Sequence, residues 1–285
     1  MDEIKLKVYG KINLCLAVTG REDKLHTLDT VMSSISIYDI IYAKKRDDGV
    51  VNVFIDGEES KSSNAYISAV MMRDVYGAGG VDIDISCGIP SGAGMGSSSA
   101  DGAGVIRAMQ LLYEIKIDEN ELREVALEIG SDVPYMLYGG TARMQGTGAD
   151  LTFIDCDCDD EVLIAGEGGV NTGKCFSVFD ENEKCVHTKT DVDVVVDSLL
   201  KKGAGESREL LFNDLQNSAQ TLNEHILKIS EIMRECGLTP VMTGSGAMVV
   251  GYGDKELFDY AISKLFLGRY RVYQVKFKKK GYELL

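Results

Sequence analysis

The chain has no tryptophan, only three prolines and only three histidines among its 285 residues. Its seven cysteines include no Cys-x-x-Cys spacing, and with so few histidines this argues against a structural zinc site. No apolar run reaches the ~18–20 residues that span a bilayer. The acidic start, residues 1–5, lacks the basic segment and apolar core of a secretory signal. We therefore predict a cytoplasmic protein with reduced thiols, no membrane partner and no bound structural metal.

Basic side chains are also in short supply. Lys and Arg number 30 against 45 Asp and Glu, which gives a formal net charge of −15. Proteins that bind nucleic acids rely on clustered Lys and Arg at the phosphates, so a nucleic-acid partner is not expected. The hydrophobic fraction of 45% suits a chain that buries a core, and the length fits one large domain or two smaller ones. Composition leaves the oligomeric state open.

Apolar periodicity predicts strands in the first half of the chain. Residues 4–9, 13–18 and 81–87 alternate between apolar and polar side chains. The Asp-Asp-Gly turn at 47–49, between two apolar runs, predicts a β-hairpin. Helical spacing follows Asn64, and again after residue 97 and from 118 to 129. The small residues at 102–104 fit a helix that presses closely on a sheet or a ligand.

The second half predicts an antiparallel sheet with helices on one face. A long helix is expected from 214 to 236, and another over 255–266. Strands are expected at 239–243, 247–252 and 270–278, which together indicate an α+β layer of ferredoxin-like type. An acidic stretch over 155–161 marks the predicted boundary between two domains, 1–153 and 154–285.

The glycine-rich run from Pro90 to Ala100 is the clearest chemical signal. Glycines can adopt backbone angles closed to other residues, and the serines come where a helix should begin. A helix N-terminus carries unpaired N–H donors and favours a phosphate. A flexible Gly/Ser linker is the alternative, but a strand and a helix flank this run. The loop lacks the lysine of a Walker A motif and the spacing of a dinucleotide fingerprint. The predicted phosphate-binding residues are Pro90, Gly92, Gly94, Met95, Gly96, Ser97, Ser98, Ser99 and Ala100.

This run resembles the phosphate-binding motif of the GHMP kinase superfamily. Gly-Lys-Ile-Asn-Leu at 10–14 and Met-Thr-Gly-Ser-Gly-Ala at 242–247 are similar to two further motifs of that superfamily. Gly-Ser-Asp-Val-Pro at 130–134 and Asn-Asp-Leu at 213–215 narrow the resemblance to the 4-diphosphocytidyl-2-C-methyl-D-erythritol kinase family. The resemblance implies an N-terminal βαβ domain of ribosomal-protein type and a C-terminal ferredoxin-like domain. It also implies ATP and Mg²⁺ as cofactors and a small-molecule alcohol as the acceptor.

The resemblance makes Lys11 and Asp132 the catalytic pair. Transfer of a γ-phosphoryl group needs an in-line hydroxyl, neutralised phosphate charge and a group that takes the hydroxyl proton. A carboxylate at Asp132 can act as that base, and an ammonium at Lys11 can stabilise the transferring group. Taken alone, an Asp two residues before a proline is often a turn or helix-cap residue. A lysine within a strand is usually exposed.

The resemblance further implies residues for the acceptor and for adenine. These are Asn13, His26, Phe176, Thr243 and Gly244 for the acceptor, and Asn64 for adenine. His26 and Phe176 correspond to residues that contact the cytosine, and the Thr243–Gly244 turn closes on the active site. The residues themselves leave other interpretations open: a structural histidine at 26, core packing at 176, and a helix N-cap at 64.

Two departures from the family bear on the acceptor. Where the family usually has Asp-Gly-Tyr-His, this chain has Asp-Lys-Leu-His, and Leu25 offers no π-face for a base. The serine-rich loop is closer to the mevalonate and homoserine kinase branches. A GHMP kinase with another acceptor alcohol and a non-catalytic nucleotide-binding regulator therefore stand as alternatives, although a regulator would need neither Lys11 nor Asp132. The Mg²⁺ ligands stay open among Ser98, Ser99 and Asp132.

Overall fold

The computed structural model describes residues 1–23, 25–156, 160–182 and 187–285. Parts of three sequence predictions lie outside these residues: Lys24 in the first family departure, Asp157 and Asp159 in the acidic stretch, and the thiols of Cys158 and Cys185. Within the described ranges, the strands are β1 (Glu3–Glu22), β2 (Leu25–Arg46), β3 (Val51–Ile55), β4 (Glu58–Glu59), β5 (Gly80–Ser86), β6 (Thr141–Gly146), β7 (Asp150–Phe153), β8 (Glu161–Gly166), β9 (Phe212–Asn213), β10 (Thr239–Met242), β11 (Val249–Tyr252), β12 (Arg271–Lys278) and β13 (Tyr282–Leu284). The helices are α1 (Asn64–Tyr76), α2 (Ser97–Tyr113), α3 (Glu119–Ile129), α4 (Val133–Met136), α5 (Thr172–Asn182), α6 (Lys189–Glu206), α7 (Gln216–Leu222), α8 (His225–Glu235) and α9 (Phe258–Leu267).

The long hairpin of β1 and β2 organises the first half of the molecule. The two strands pair antiparallel along nearly their whole length, and β5 pairs with the other edge of β2. Helix α2 packs on β1 and β2, and α1 packs on α2 and β3. A Cβ at Gly104 would lie 2.4 Å from Val8 Cγ1 and 2.5 Å from Ile41 Cδ1. The small residues of α2 therefore let this helix press directly on the sheet, as predicted.

The predicted hairpin around residues 47–49 is wrong. Strand β3 does not pair with β2, because β5 lies between them, antiparallel to β2 and parallel to β3. The turn is real, and Asp48 pairs with Arg46 at its base. Arg46 also reaches Asp82 of β5, at 2.9 Å, so its side chain ties the end of β2 to the strand that intervenes.

The second half contains the predicted antiparallel sheet, in the order β10-β11-β8-β12. Helices α8 and α9 pack on these strands around a second hydrophobic core. Strand β12 pairs with β8 over residues 271–276 and with β2 at 277–278, so it joins the two parts of the sheet. The predicted α+β class and the predicted strands are confirmed. The division at 153/154 stays a prediction.

The predicted helix over 214–236 is two helices. Helix α7 ends at Leu222 and α8 begins at His225, because Asn223 has an extended backbone, with φ −146° and ψ 102°. The Asn223 side chain accepts a hydrogen bond from the amide of His225 at 3.0 Å and donates to the carbonyl of Glu167 at 2.9 Å. An asparagine that bonds the backbone in this way competes with helix continuation. None of the described helices has both the length and the apolar content needed to cross a membrane.

Candidate active site

A cavity of about 350 Å³ lies where four segments meet. They are β1, the glycine-rich loop, the segment before α4, and the glycine turn at 242–247, called the second glycine turn below. Predicted residues that line the cavity are Lys11, Asn13, Pro90, Gly92, Gly94, Gly96, Ser97, Ser98, Ser99, Asp132, Phe176 and Gly244. Met95, Ala100 and Thr243 are buried next to this wall. Asn64 is the first residue of α1, where Ser63 is the N-cap, and it packs against Gly102 of α2. The fold thus brings most of the predicted site to one place.

The glycine-rich loop lines the cavity with residues that have small side chains or none. Gly92, Gly94 and Gly96 have φ angles of +65°, +77° and +74°. Helix α2 begins at Ser97 with Gly96 as its N-cap, and no side chain caps its first amides. A Cβ at Gly92 would meet nothing within 4 Å, so that side of the loop is open. An uncapped helix N-terminus facing an open cavity is suited to a phosphate group.

The two glycine turns pack backbone against backbone. A Cβ at Gly94 would lie 2.2 Å from the carbonyl oxygen of Thr243, and one at Gly244 would lie 2.9 Å from Gly94 Cα. The hydroxyl of Thr243 donates to the Gly94 carbonyl at 3.3 Å. Only glycine fits at position 94, since both its φ and its space exclude a side chain. The second turn therefore supports the phosphate loop directly.

Lys11 and Asp132 meet at the cavity wall. Lys11 Nζ lies 3.5 Å from Asp132 Oδ2 and donates a 2.8 Å hydrogen bond to Asn13 Oδ1. The lysine side chain is only 5% exposed, which rules out the interpretation of a solvent-facing lysine. Asp132 does occupy the N-cap position of α4, but its carboxylate makes no capping bond. An ammonium buried to this degree needs paired partners, so the contact fixes the position of Lys11.

Asn13 connects three segments around this pair. Its Oδ1 accepts hydrogen bonds from Lys11 Nζ and from the Gly244 amide at 3.0 Å, and its Nδ2 donates to Thr30 Oγ1 at 2.8 Å. The Asn13 amide donates to Thr243 Oγ1 at 3.0 Å. Sequence reasoning placed Asn13 and Thr243 at the acceptor. In this structure their polar groups form hydrogen bonds that hold the segments around the site together.

The charged side chains among the residues lining this cavity are Lys11 and Asp132, whose formal charges cancel. Main-chain amides and the N-terminus of α2 therefore add to the attraction for an anion. Tyr135 of α4 is fully buried near the pair, and its hydroxyl donates to the Gly140 carbonyl at 2.8 Å. Desolvation raises the pKa of Tyr135 above its usual range, so this phenol stays neutral. It is no competitor to Asp132 as a base.

A second cavity of about 780 Å³ adjoins the first and shares Phe176 with it. His26 and Phe176 line this space with their rings stacked, 4.4 Å between centroids and 18° apart. His26 Nε2 lies 2.7 Å from Asp180 Oδ1 on α5. Leu25 is 64% exposed at the mouth of the same cavity. Phe176 thus both packs against the second core and faces the cavity. Its position is compatible with core packing and with the predicted contact to a base.

Sequence reasoning missed the residues that hold the second glycine turn. Asn213 Nδ2 donates to the carbonyls of Met242 and Gly244, each at 2.8 Å, and its Oδ1 accepts from the Leu215 amide. The Asn-Asp-Leu stretch at 213–215 is part of the family resemblance, but nothing in the sequence indicates what it contacts. Thr30 carried no signal at all, because its role depends on the pairing of β1 with β2.

The comparisons with known proteins agree with this geometry. A family model described as the GHMP kinases N terminal domain matches residues 64–140. A 4-diphosphocytidyl-2-C-methyl-D-erythritol kinase of Clostridium beijerinckii is 32% identical over 266 residues, covering 89% of this chain and 92% of that protein. The same enzyme of Desulfitobacterium hafniense is 35% identical, covering 90% of this chain and 89% of the relative.

Solved structures show the same fold at lower identity. A crystal structure of 4-(cytidine 5'-diphospho)-2C-methyl-D-erythritol kinase aligns with a TM-score of 0.73 at 24% identity, over 96% of this chain and 98% of that one. Homoserine kinase from Cytophaga hutchinsonii aligns with a TM-score of 0.78 at 16% identity, over 100% and 98%. Fold similarity therefore does not distinguish relatives that are named for different acceptors. With a third of its residues identical to such relatives over most of both chains, the protein belongs to the 4-diphosphocytidyl-2-C-methyl-D-erythritol kinase family of GHMP kinases.

Proposed function

We propose that this chain transfers the γ-phosphoryl group of ATP to the 2-hydroxyl group of 4-(cytidine 5'-diphospho)-2-C-methyl-D-erythritol, in isoprenoid precursor synthesis. The relatives named for this acceptor span most of the chain, which supports it over a homoserine or mevalonate type of acceptor. The observation that carries the proposal is the 3.5 Å contact between Lys11 and Asp132 at the wall that the glycine-rich loop also forms.

Lys11 and Asp132 have distinct roles in this proposal. Asp132 Oδ2 accepts the proton of the acceptor hydroxyl as that oxygen attacks the γ-phosphorus, while the bond from this phosphorus to the β,γ-bridging oxygen breaks and ADP leaves. Lys11 orients the carboxylate and stabilises negative charge on the transferring group. A regulator that only bound nucleotide would gain nothing from burying a lysine against this carboxylate, so the contact favours catalysis.

The donor phosphates are proposed to bind the amides between Gly92 and Ser99. Oxygen ligands suit Mg²⁺, which usually takes one or two carboxylates together with substrate phosphates. Ser98, Ser99 and Asp132, which carry hydroxyl and carboxylate oxygens, line the same cavity, so the donor set fits this ion. When bound there, Mg²⁺ would neutralise phosphate charge. The role of Asn64 near adenine stays a prediction.

The acceptor is proposed to extend from the Lys11–Asp132 pair into the adjoining cavity. The two cavities share Leu28, Ser131, Met144, Thr172 and Phe176, so a nucleotide-linked polyol has a continuous path. The cytosine would lie in the larger space, beside the stacked rings of His26 and Phe176. Leu25 would add apolar contact at its mouth.

ADP release with three acceptors tests this function. We expect turnover with 4-(cytidine 5'-diphospho)-2-C-methyl-D-erythritol, and at most a few per cent of that rate with mevalonate or homoserine. Faster turnover with either of the latter would overturn the proposed acceptor. No ADP release with any of the three, by a chain that binds ATP, would favour the regulator.

A further inference from the structure

Asp39 lies behind the glycine-rich loop and contacts both ends of it. This buried residue of β2 accepts hydrogen bonds at Oδ1 from the amides of Gly88 and Ile89, at 2.6 and 2.7 Å. Its Oδ2 accepts a 3.3 Å bond from the hydroxyl of Ser97, the first residue of α2. One carboxylate therefore ties the entry of the loop to the helix N-terminus that the loop leads into.

A second carboxyl group lies against Asp39 with no role in the chemistry described above. Asp101 is on α2, one turn after Ser97, and is 4% exposed. Ser97, whose hydroxyl bonds Asp39 Oδ2, lies four residues before Asp101 on the same face of α2, which places the two buried carboxyl groups side by side. With both ionised, Asp101 Oδ1 has no hydrogen-bond donor. Two buried carboxylates in contact repel, whereas one shared proton turns the same contact into a hydrogen bond.

We propose that Asp101 carries a proton and donates it in a hydrogen bond to Asp39, and that this carboxyl pair holds the glycine-rich loop in its phosphate-binding conformation. The inference rests on the proposed function only in that the loop binds nucleotide phosphates. Asp39 and Asp101 are positioning residues, since both act through the loop and neither is required to touch the nucleotide.

The surroundings explain which carboxyl group holds the proton. Two amides and a hydroxyl stabilise the ionised form of Asp39, which opposes the effect of its burial. Burial and then the charge of Asp39 raise the pKa of Asp101 to about 8. Asp56, from the turn between β3 and β4, adds negative charge on the same side. Cys87 and Arg271 face the cavity that Asp56 and Asp101 line, and burial raises the pKa of the thiol to about 12.

Two consequences follow for nucleotide binding. At neutral pH the pair carries one negative charge instead of two, which limits its repulsion of phosphates. As the pH rises above that pKa, Asp101 loses its proton, the hydrogen bond to Asp39 is lost and a second charge appears beneath the loop. Nucleotide affinity should then fall, by up to about tenfold per pH unit when binding requires the protonated form.

Calorimetric titration of ADP into the full chain between pH 6 and pH 9.5 tests this inference. Asp101→Asn keeps a donor to Asp39 but cannot ionise, so we expect near wild-type affinity at pH 7 and a much weaker fall above pH 8. Glu58→Gln, at an exposed position of β4, is the control, and it should retain the wild-type slope. Equal slopes of ADP affinity against pH in wild type and Asp101→Asn would overturn the proposal. Ionisation of the nucleotide itself affects both chains equally, so it does not change this comparison.

An infrared measurement tests the proton without any nucleotide. The wild-type chain at pH 7 should show a C=O stretch from a protonated carboxyl group, which disappears in Asp101→Asn and on raising the pH past 9. Absence of this band at pH 7 would overturn the proposal. If no nucleotide binds at any pH, the proposed function fails, but the band still decides whether the pair shares a proton.

Discussion

Asn13 shows how much of the site depends on one uncharged side chain. Its amide group bonds Lys11, Thr30 and Gly244, which come from β1, β2 and the second glycine turn. Removing it leaves buried polar groups without partners, which costs about 1–3 kcal/mol each. The position of Lys11 and the closure of the turn therefore depend on the same residue.

We expect Asn13→Ala to lower kcat by more than about tenfold and the free energy of unfolding by about 2 kcal/mol. Steady-state kinetics and urea unfolding measure the two effects. Asn120→Ala, at an exposed position of α3, is the control and should change neither by much. A wild-type kcat in Asn13→Ala would contradict the role given to this side chain.

Phe176 allows a test of the acceptor side. Phe176→Leu keeps apolar bulk but removes the aromatic face, which is worth roughly 0.5–1.5 kcal/mol in a stacked pair. We therefore expect KM for the cytidine-containing acceptor to rise about 2–10-fold, with KM for ATP unchanged. Phe266→Leu, exposed on α9, is the matched control. An equal rise in both KM values would show a structural effect instead.

Single residues were predictable here only as members of motifs. Asp132 by itself fits a helix cap as well as a base, and it does sit at the N-cap of α4. What decides its role is Lys11, far away in the sequence, and the pairing of β1 with β2 that positions this lysine. Long-range contacts of this kind leave no periodic signal, so the resemblance supplied what spacing could not.

At the scale of elements, the contact between the two glycine turns sets the shape of the phosphate site. Gly94→Ala would place a Cβ 2.2 Å from the Thr243 carbonyl, so one turn must move. Gly57→Ala is a matched control, because Gly57 also has a positive φ, +85°, but an added Cβ meets nothing within 4 Å.

We expect Gly57→Ala to cost about 1 kcal/mol of folding free energy from the φ angle alone. Gly94→Ala should cost more than this and should also weaken ATP binding by at least about tenfold. Urea unfolding and nucleotide titration provide the measurements. If Gly94→Ala loses no more stability and no more affinity than the control, the two turns do not depend on each other.

Strands and helices were predicted well where a local sequence pattern determines them. They were predicted poorly where strand pairing or a side-chain hydrogen bond determines them. The strict alternation at 81–87 gave β5 (Gly80–Ser86) almost to the residue. The hairpin at 47–49 failed because a turn signal fixes a reversal of the chain, not the identity of the neighbouring strand. The helix over 214–236 failed because periodicity continued across Asn223, whose side chain bonds ended α7.

At the scale of the whole molecule, β1 packs in both hydrophobic cores, because Cys15 and Ala17 of the first core alternate along the strand with residues of the second. Ile12 and Leu14 belong to the first core, whereas Leu16 and Val18 pack in the second. Strand β12 joins β8 to β2 from the other side. The predicted boundary at 153/154 rests on an acidic stretch of sequence. Composition of this kind does not indicate which strands pack in both cores.

We therefore expect both halves to unfold together. Urea unfolding followed by far-ultraviolet circular dichroism and by tyrosine fluorescence should give coincident single transitions. Two separated transitions would show that β1 and β12 do not couple the cores.

The carboxyl pair predicts a pH dependence of stability. Because the pKa of Asp101 is raised to about 8 on folding, the folded chain binds a proton that the unfolded chain releases above its ordinary value near 3.8. The stabilisation that this proton adds to the free energy of unfolding is complete below that ordinary value and is lost as the pH rises through about 8. Between pH 5 and pH 8, wild type should therefore lose more free energy of unfolding than Asp101→Asn. A constant difference between the two chains would contradict the assignment.

The most direct measurement is single-turnover phosphoryl transfer by Asp132→Asn, with ATP affinity determined on the same sample. We predict that the rate of transfer falls by at least about 100-fold, because the base is removed, while ATP binds within about threefold of wild type. Asp259→Asn, at an exposed position of α9, should match wild type in both. Near-normal transfer by Asp132→Asn would contradict the role of the Lys11–Asp132 pair.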